Sequence, residues 1–258
     1  MHTIRCLVGV ILVLAGPAGI AGQEWRSLFD GESLEGWTVK IRGHRAGEDP
    51  YRTFRMEDGL LTVGYEGYDG VFGERFGHLF HPVPWTDYDL RVEYRFVGEQ
   101  VPGGPGWALL NSGVMLHAQS PETMGIDQDF PISLEAQLLA DDGSGDRPTA
   151  NLCTPGTHVE MGGERVETHC IRSASPTFAA HEWVTVELEV RGGETIVHRV
   201  EGDSVIAYGR PVVGGGAVNG FTPAAKIDGV ALDHGWIALQ SESHPVQFRA
   251  VSIRPRTR

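Results

Sequence analysis

The chain has 258 residues, 41% of them hydrophobic, a length that supports one large core or two small ones. Its formal net charge is −13, from 34 acidic residues against 21 Lys and Arg. That balance argues against nucleic acid, whose phosphates require clusters of Lys and Arg.

Residues 1–22 combine a short basic start (His2, Arg5), an apolar run over 7–15, a Gly16-Pro17 break and small residues at Ala18, Gly19, Ala21 and Gly22. This is the pattern of a secretory signal, and the apolar run is too short to span a bilayer. The expectation is an exported protein, periplasmic or extracellular, with no membrane span and a mature domain over 23–258. Losing the signal's one Arg moves the net charge to −14.

In residues 23–41, Trp25, Leu28 and Phe29 precede an Asp30-Gly31 turn, and Gly36 precedes Trp37, Val39 and Ile41. Turn residues between short alternating runs predict strands. Residues 42–50 form a polar loop, and 52–56 with 60–63 flank Glu57-Asp58-Gly59 as a hairpin. A stretch rich in glycine and aromatics, 65–81, carries Arg75 and His78, which either contact a ligand or pack. Residues 88–96 alternate cleanly: Tyr88, Leu90, Val92, Tyr94 and Phe96 on one face, Asp89, Arg91, Glu93 and Arg95 on the other.

The stretch 107–139 holds two strands with polar residues on one face and aliphatic ones on the other. Alternation puts Asn111, Met115, His117 and Gln119 opposite Val114, Leu116 and Ala118, and Ser133, Glu135 and Gln137 opposite Leu134, Ala136 and Leu138. If both strands share one sheet, His117, Gln119, Glu135 and Gln137 converge on a polar floor. Residues 140–158 then form a long polar excursion without apolar period. Strands over 184–190 and 195–200 form a second hairpin through Gly192-Gly193. Residues 209–234 read as a Gly-rich connection, and strands over 237–240 and 246–253 end the chain.

No segment after the signal sustains a helical period, so the expected fold is all-β: about a dozen short strands in a two-sheet sandwich or jelly roll, in a single domain. After the signal only Cys153 and Cys170 remain, and one disulfide between them is the simplest arrangement for an exported protein. A metal site using these cysteines with His158 and His169 is the alternative; it lacks the close ligand pairing of structural zinc sites.

Six segments resemble, in order, the motifs of the DUF1080 family: SLFDGESLEGW (27–37), FRMEDGLLTV (54–63), FGHLFHPVPWTDYDLRVEYRF (76–96), NSGVMLH (111–117), ISLEAQLL (132–139) and GWIALQSESHPVQFRAVSI (235–253). That family is also described as a 3-keto-disaccharide hydrolase, or 3-keto-glucoside 1,2-lyase and 3-keto-glucal hydratase, domain. The resemblance implies a concanavalin-like jelly roll and action on sugars already oxidised at C3. One departure stands out: an Asp-His pair usually follows the Leu-Gln of the last motif, whereas here Leu239-Gln240 leads into Ser241-Glu242-Ser243-His244.

A 3-keto group acidifies the C2 proton. A base removes it, the C1 substituent leaves, and water added to the resulting enone completes net cleavage; such a site needs a base, an enolate stabiliser and an acid. Glu135, in mid-strand between aliphatic neighbours, is the candidate base, and His117 the acid or enolate stabiliser. Asn111, Gln137 and Gln240 suit hydrogen bonds to sugar hydroxyls, with Arg75 and His78 as further contacts and Glu242 with His244 as a second acid–base pair at the rim. Trp37, Trp85, Trp107 and Trp236 are either stacking platforms or core. No cofactor is firmly implied, although Glu135 with Asp129, Asp141 or Asp142 offers oxygens for a divalent metal such as Ca²⁺.

The expected partner is a small oligosaccharide or glycoside, and the leading expectation an exported enzyme cleaving 3-keto-glycosides. A non-catalytic carbohydrate-binding module of the same fold is the alternative. A third reading is an ordinary two-carboxylate glycoside hydrolase, which requires a second carboxylate about 5–10 Å from Glu135.

Overall fold

The computed structural model describes residues 24–256. The signal assigned to 1–22 lies outside them. The chain forms β1 (Arg26–Ser27), β2 (Thr38–Ile41), β3 (Phe54–Glu57), β4 (Leu60–Val63), β5 (Gly77–Phe80), β6 (Asp87–Phe96), β7 (Asn111–Ala118), β8 (Leu134–Leu139) and β9 (Asn151–Cys153). It continues with β10 (Thr157–Met161), β11 (Glu164–Val166), β12 (Cys170–Ile171), β13 (Val184–Arg191), β14 (Thr195–Val200), β15 (Asp203–Val213), β16 (Trp236–Ser241) and β17 (Val246–Pro255). Among the described residues the only helical pieces are three single 3₁₀ turns, and no helix is long and apolar enough to cross a membrane.

These strands make two antiparallel sheets. The larger runs β11-β10-β15-β14-β13-β6-β17-β4-β3 with β1 on β17; the smaller runs β12-β9-β8-β7-β16-β5-β2. The main core lies between them. Leu61, Tyr88, Leu90, Val92, Val186, Leu188 and Phe248 come from the larger sheet, and Leu79, Val114, Leu116, Leu134, Ala136, Leu138, Ile237 and Leu239 from the smaller. Burying each large aliphatic or aromatic side chain contributes roughly 1.5–3 kcal/mol. A one-residue slip of β8 would exchange Leu134, Ala136 and Leu138 for Glu135 and Gln137, so this packing fixes the register that positions the site.

The predicted hairpins form as β3–β4, whose turn places Asp58 and Gly59 at positive φ, and as β13–β14. The two strands of 107–139 are adjacent partners, with Met115 opposite Glu135 and Val114 opposite Ala136. Two expectations need correction. The polar excursion over 140–158 contains β9 and the start of β10, strands of three and five residues, too short for an alternation to be recognised. The supposed Gly-rich connection over 209–234 begins inside β15, which runs on to Val213 through Gly209 and Pro211.

A third correction concerns His117. The register of β7 against β16 shifts between Trp236 and Ala238, and His117 sits at φ +48°, a left-handed conformation. This bulge inserts one extra residue and inverts the alternation beyond Leu116. Ala118 joins Met115 on the outer face, while the His117 ring turns to the carbonyl of Gly192, 3.0 Å away in the β13–β14 turn.

Candidate functional site

On the smaller sheet the side chains not used by the core point outward, and they form cross-strand rows. One row runs Phe80, Ala238, Met115, Glu135, Cys153, Cys170. The next contains Lys40, His78 and Gln240 from β2, β5 and β16, and Gly113, Gln137 and Asn151 from β7, β8 and β9. The first row is apolar at one end, where Phe80, Met115, Ala118, Met124 and Ala238 pack together. The second is polar throughout.

Gly113 is the gap around which the polar groups gather. A Cβ built there would lie 2.6 Å from Oε1 of Glu135 and 3.0 Å from Oε1 of Gln240. The Glu135 carboxyl therefore lies over the Gly113 backbone, in space that any side chain would fill. Gly113 is absent from the positive-φ residues, so glycine is required here for room. Glu242, just beyond β16, brings a second carboxyl into electrostatic contact with the first.

Both carboxyls are buried, Glu135 6% and Glu242 3% exposed. Burial drives the Glu135 carboxyl up to about 8. Burial, and then the negative charge of Glu135, push Glu242 well above the usual carboxylate range. So dry a pair holds a proton at neutral pH. His78 is pressed down to about 3 by burial and by Lys40 beside it, and is neutral. Burial lowers Lys40 itself to about 8 against the opposing pull of Asp127; its ammonium donates to the carbonyls of Ile41 and Ile126.

Several of these buried polar atoms find no hydrogen-bond partner in the protein: both ring nitrogens of His78, both amide atoms of Gln240, Oδ1 of Asn111 and Oε2 of Glu242. Each unmade bond costs about 1–3 kcal/mol, and such groups cluster where a ligand is meant to meet them. Above them lies a groove of about 660 Å³, lined by Glu135, Glu242, Asn111, Gln137, Phe76, Trp107, Phe130 and the Cys153–Cys170 disulfide. That volume is in the range of small-molecule sites.

The structure thus brings Glu135, Glu242, Asn111 and Gln137 to one groove, with Gln240 beside Gly113 and His78 next to Gln240 on β5; Gln137 accepts from Asn151 at 3.0 Å. It does not bring His117, which faces Gly192, nor Gln119, whose Oε1 accepts from Gln128 and the Ile132 amide. His244 sets its ring edge-on against Phe96, near Arg147, and burial lowers it to about 4. Arg75 stacks on Tyr51 and Tyr68. The alternation missed Lys40 and Asn151, each the polar member of a strand of four or three residues.

Cys153 and Cys170 are opposite each other on β9 and β12 and form the disulfide, 17 residues apart in sequence. Among the described residues, the trio with ligand atoms close enough for one metal ion is Cys153, His169 and Cys170, and the disulfide uses both of its sulfurs. His158 lies elsewhere, against Gly214 and Gly215. Of the carboxylates proposed to join Glu135, Asp129 lines the same groove and accepts from the Phe130 amide and from Asn219, whereas Asp141 accepts from the Gly143 amide and Asp142 from Ser144. Of the tryptophans, Trp37 and Trp85 pack against the main core and Trp236 against the outer apolar cluster, whereas Trp107 stands exposed at the groove.

Solved structures share this architecture at low identity. Two candidate glycosyl hydrolases from Parabacteroides distasonis ATCC 8503 superpose with TM-scores of 0.53 and 0.54 at 18% and 15% identity, covering 90% of this chain and 94% and 100% of theirs. A Bacillus subtilis protein of unknown function with a galectin-like fold gives 0.51 at 13% identity, covering 87% of this chain and 91% of its own. These likenesses show the jelly-roll fold. No curated protein matches the chain. The sequence itself matches one family over residues 24–254, nearly all of the described chain, and the protein belongs to the 3-keto-alpha-glucoside-1,2-lyase-like domain family.

Proposed function

We propose that this protein cleaves 3-keto-glycosides by elimination across C1 and C2, with hydration of the product completing hydrolysis. The observation that carries this reading is the buried Glu135–Glu242 pair over Gly113, ringed by polar atoms without partners. Membership of a 3-keto-alpha-glucoside-1,2-lyase-like domain family supports this choice of substrate class. Glu135 is the first of the pair to ionise, as pH rises through about 8, and its carboxylate takes the C2 proton while Glu242 keeps its own. The electron pair moves onto the O3 carbonyl as an enolate, which the N–H groups of His78 or Gln240 stabilise. The enolate then expels the C1 substituent, and the protonated carboxyl of Glu242 donates its proton to the departing oxygen. The products are an enone and the free alcohol or sugar, and the proton now sits on Glu135. Addition of water to C1 of the enone runs the proton movements backwards and restores the pair.

A pair of groups in the ordinary carboxylate range would be fully ionised at neutral pH and would lack the acid. Burial keeps one proton available, near the pH at which acid and base work best. The second reading, an ordinary glycoside hydrolase, is favoured by the same observation, since Glu242 supplies Glu135 with the partner carboxyl that reading needs. Incubating the purified protein with a 3-keto-disaccharide and with its unoxidised parent separates them. Release of sugar from the oxidised substrate alone is the expected result. Cleavage of the parent overturns the elimination mechanism, and binding without turnover of either identifies a carbohydrate-binding module.

Export to the periplasm or medium belongs to the same proposal, resting on residues 1–22 and the disulfide. Amino-terminal sequencing of protein recovered outside the cytoplasm tests it, and an intact start at Met1 would refute it.

A further inference from the structure

Trp107 is the exception among the tryptophans. It is 56% exposed, yet it lines the groove and lies nearly parallel to Phe76, with centroids 5.9 Å apart and planes 14° apart. One face is thus supported by Phe76 and the rest is open to the groove. The loop that carries it is fixed in place. Gln100 donates to the carbonyl of Pro105 and to the Ser243 hydroxyl, the Val101 amide donates to the Ser243 carbonyl, and the Trp107 carbonyl accepts from Asn111. Ser243 adjoins Glu242, so the indole and that carboxyl are held by one set of bonds.

The groove is also directional along the strands. Glu135 pairs with Met115 on β7 and, on its other side, with Cys153, whose disulfide also lines the groove. Glu242, three residues past the Leu239 that pairs with Val114, is carried toward the Asn111 end, where the open indole stands. A ligand therefore meets Glu135 first and, beyond Glu242, an aromatic shelf.

We propose that the Trp107–Phe76 stack is the subsite for the leaving group, and that the protein acts on terminal 3-keto rings whose aglycone is itself a ring, a second pyranose or an aryl group. This rests on the elimination reading above and adds an order to it. The reacting ring lies over Gly113 beside Glu135, the aglycone ring lies on the indole, and Glu242 faces the oxygen between them. An open aromatic face takes up the C–H face of a pyranose or the π-face of an aryl group, whereas a methyl aglycone leaves it wet.

The test compares kcat/KM for a 3-keto-disaccharide and for methyl 3-keto-glucoside in wild-type protein, Trp107→Ala and Trp107→Phe. Wild type prefers the disaccharide, and Trp107→Ala reduces that preference about 10-fold or more, chiefly through KM, while Trp107→Phe keeps most of it. An unchanged preference, or equal losses on both substrates, overturns the subsite. If wild type turns over neither substrate the elimination reading fails, and calorimetric titration with unoxidised phenyl and methyl glucosides decides the shelf. Tighter binding of the phenyl compound that Trp107→Ala abolishes supports it; equal binding of the two by wild type refutes it.

Discussion

Replacing Glu135 by Gln removes a titrating group while keeping its shape, and the pH dependence of stability reports how deeply that group is buried. In the folded protein the Glu135 carboxyl titrates at about 8, against an ordinary value of 4.5. Between those values the folded protein binds a proton that the unfolded chain has released, so stability falls as pH rises through this window and levels off above it. At about 1.4 kcal/mol per pH unit, the full interval sets a ceiling of about 5 kcal/mol. The Glu135→Gln protein does not pay this term. Urea unfolding of both proteins at half-unit steps from pH 5 to 9, disulfide intact, gives the difference in unfolding free energy. That difference moves in favour of the mutant as pH rises, by several kcal/mol at most. Taking the difference also cancels most of the histidine titration common to both proteins. Parallel stability curves, constant to within about 0.5 kcal/mol, would show that the carboxyl is solvated and would remove the basis for the shared proton.

Three further outcomes follow from the same geometry. Gly113→Ala places a Cβ 2.6 Å from the Glu135 carboxyl without straining the backbone, and is expected to lower kcat/KM on a 3-keto-disaccharide by about 100-fold with an unchanged circular dichroism spectrum; activity within a few-fold of wild type would place the carboxyl elsewhere. His117→Ala removes the ring that bonds Gly192, so it should cost about 1–3 kcal/mol in urea unfolding and leave kcat within about 3-fold, and a collapse of kcat at unchanged stability would return His117 to the site. On the acid side, burial lowers His78 to about 3 and His198 and His244 to about 4, so stability present above pH 6.5 is lost as pH falls toward those values; His198→Phe should flatten part of that loss, and an identical acid limb in the mutant would contradict the burial.

Strand alternation located Glu135 and Gln137 because β8 is regular: Leu134, Ala136 and Leu138 are fully buried on one face, and nothing interrupts the period. The same rule failed for His117, eight residues of β7 notwithstanding, because a bulge shifts parity by one and no residue type in MLHAQ announces it. Gln240 was legible for the same reason as Glu135, opposite Ile237 and Leu239. Glu242 was named as a rim residue from its place after Gln240, but its closeness to Glu135 comes from sheet order. β16 lies beside β7, a neighbour more than a hundred residues away, and no local pattern carries that information. Lys40 stayed hidden because a buried lysine depends on carbonyls supplied by its own strand and by Ile126.

The arrangement also explains how one sheet can carry both the core and the chemistry. On the inner face the small sheet contributes ordinary aliphatic packing, which is insensitive to ligand. On the outer face it holds neutral His78, both amide atoms of Gln240 and the Asn111 oxygen without partners, the last lining a groove that Phe76 and Phe130 also line. A site that leaves donors and acceptors unpaired discriminates strongly, because an analogue lacking the matching hydroxyl leaves them unpaired again, whereas a purely apolar pocket separates such analogues weakly. Selectivity for the reacting ring therefore comes from the polar row around Gly113, and selectivity for what is attached to it from the aromatic end of the groove. The two are separable by mutation because they stand on different strands and loops, linked through Ser243 and Gln100 and through Asn111, whose amide nitrogen bonds the Trp107 carbonyl and whose oxygen is left for the ligand.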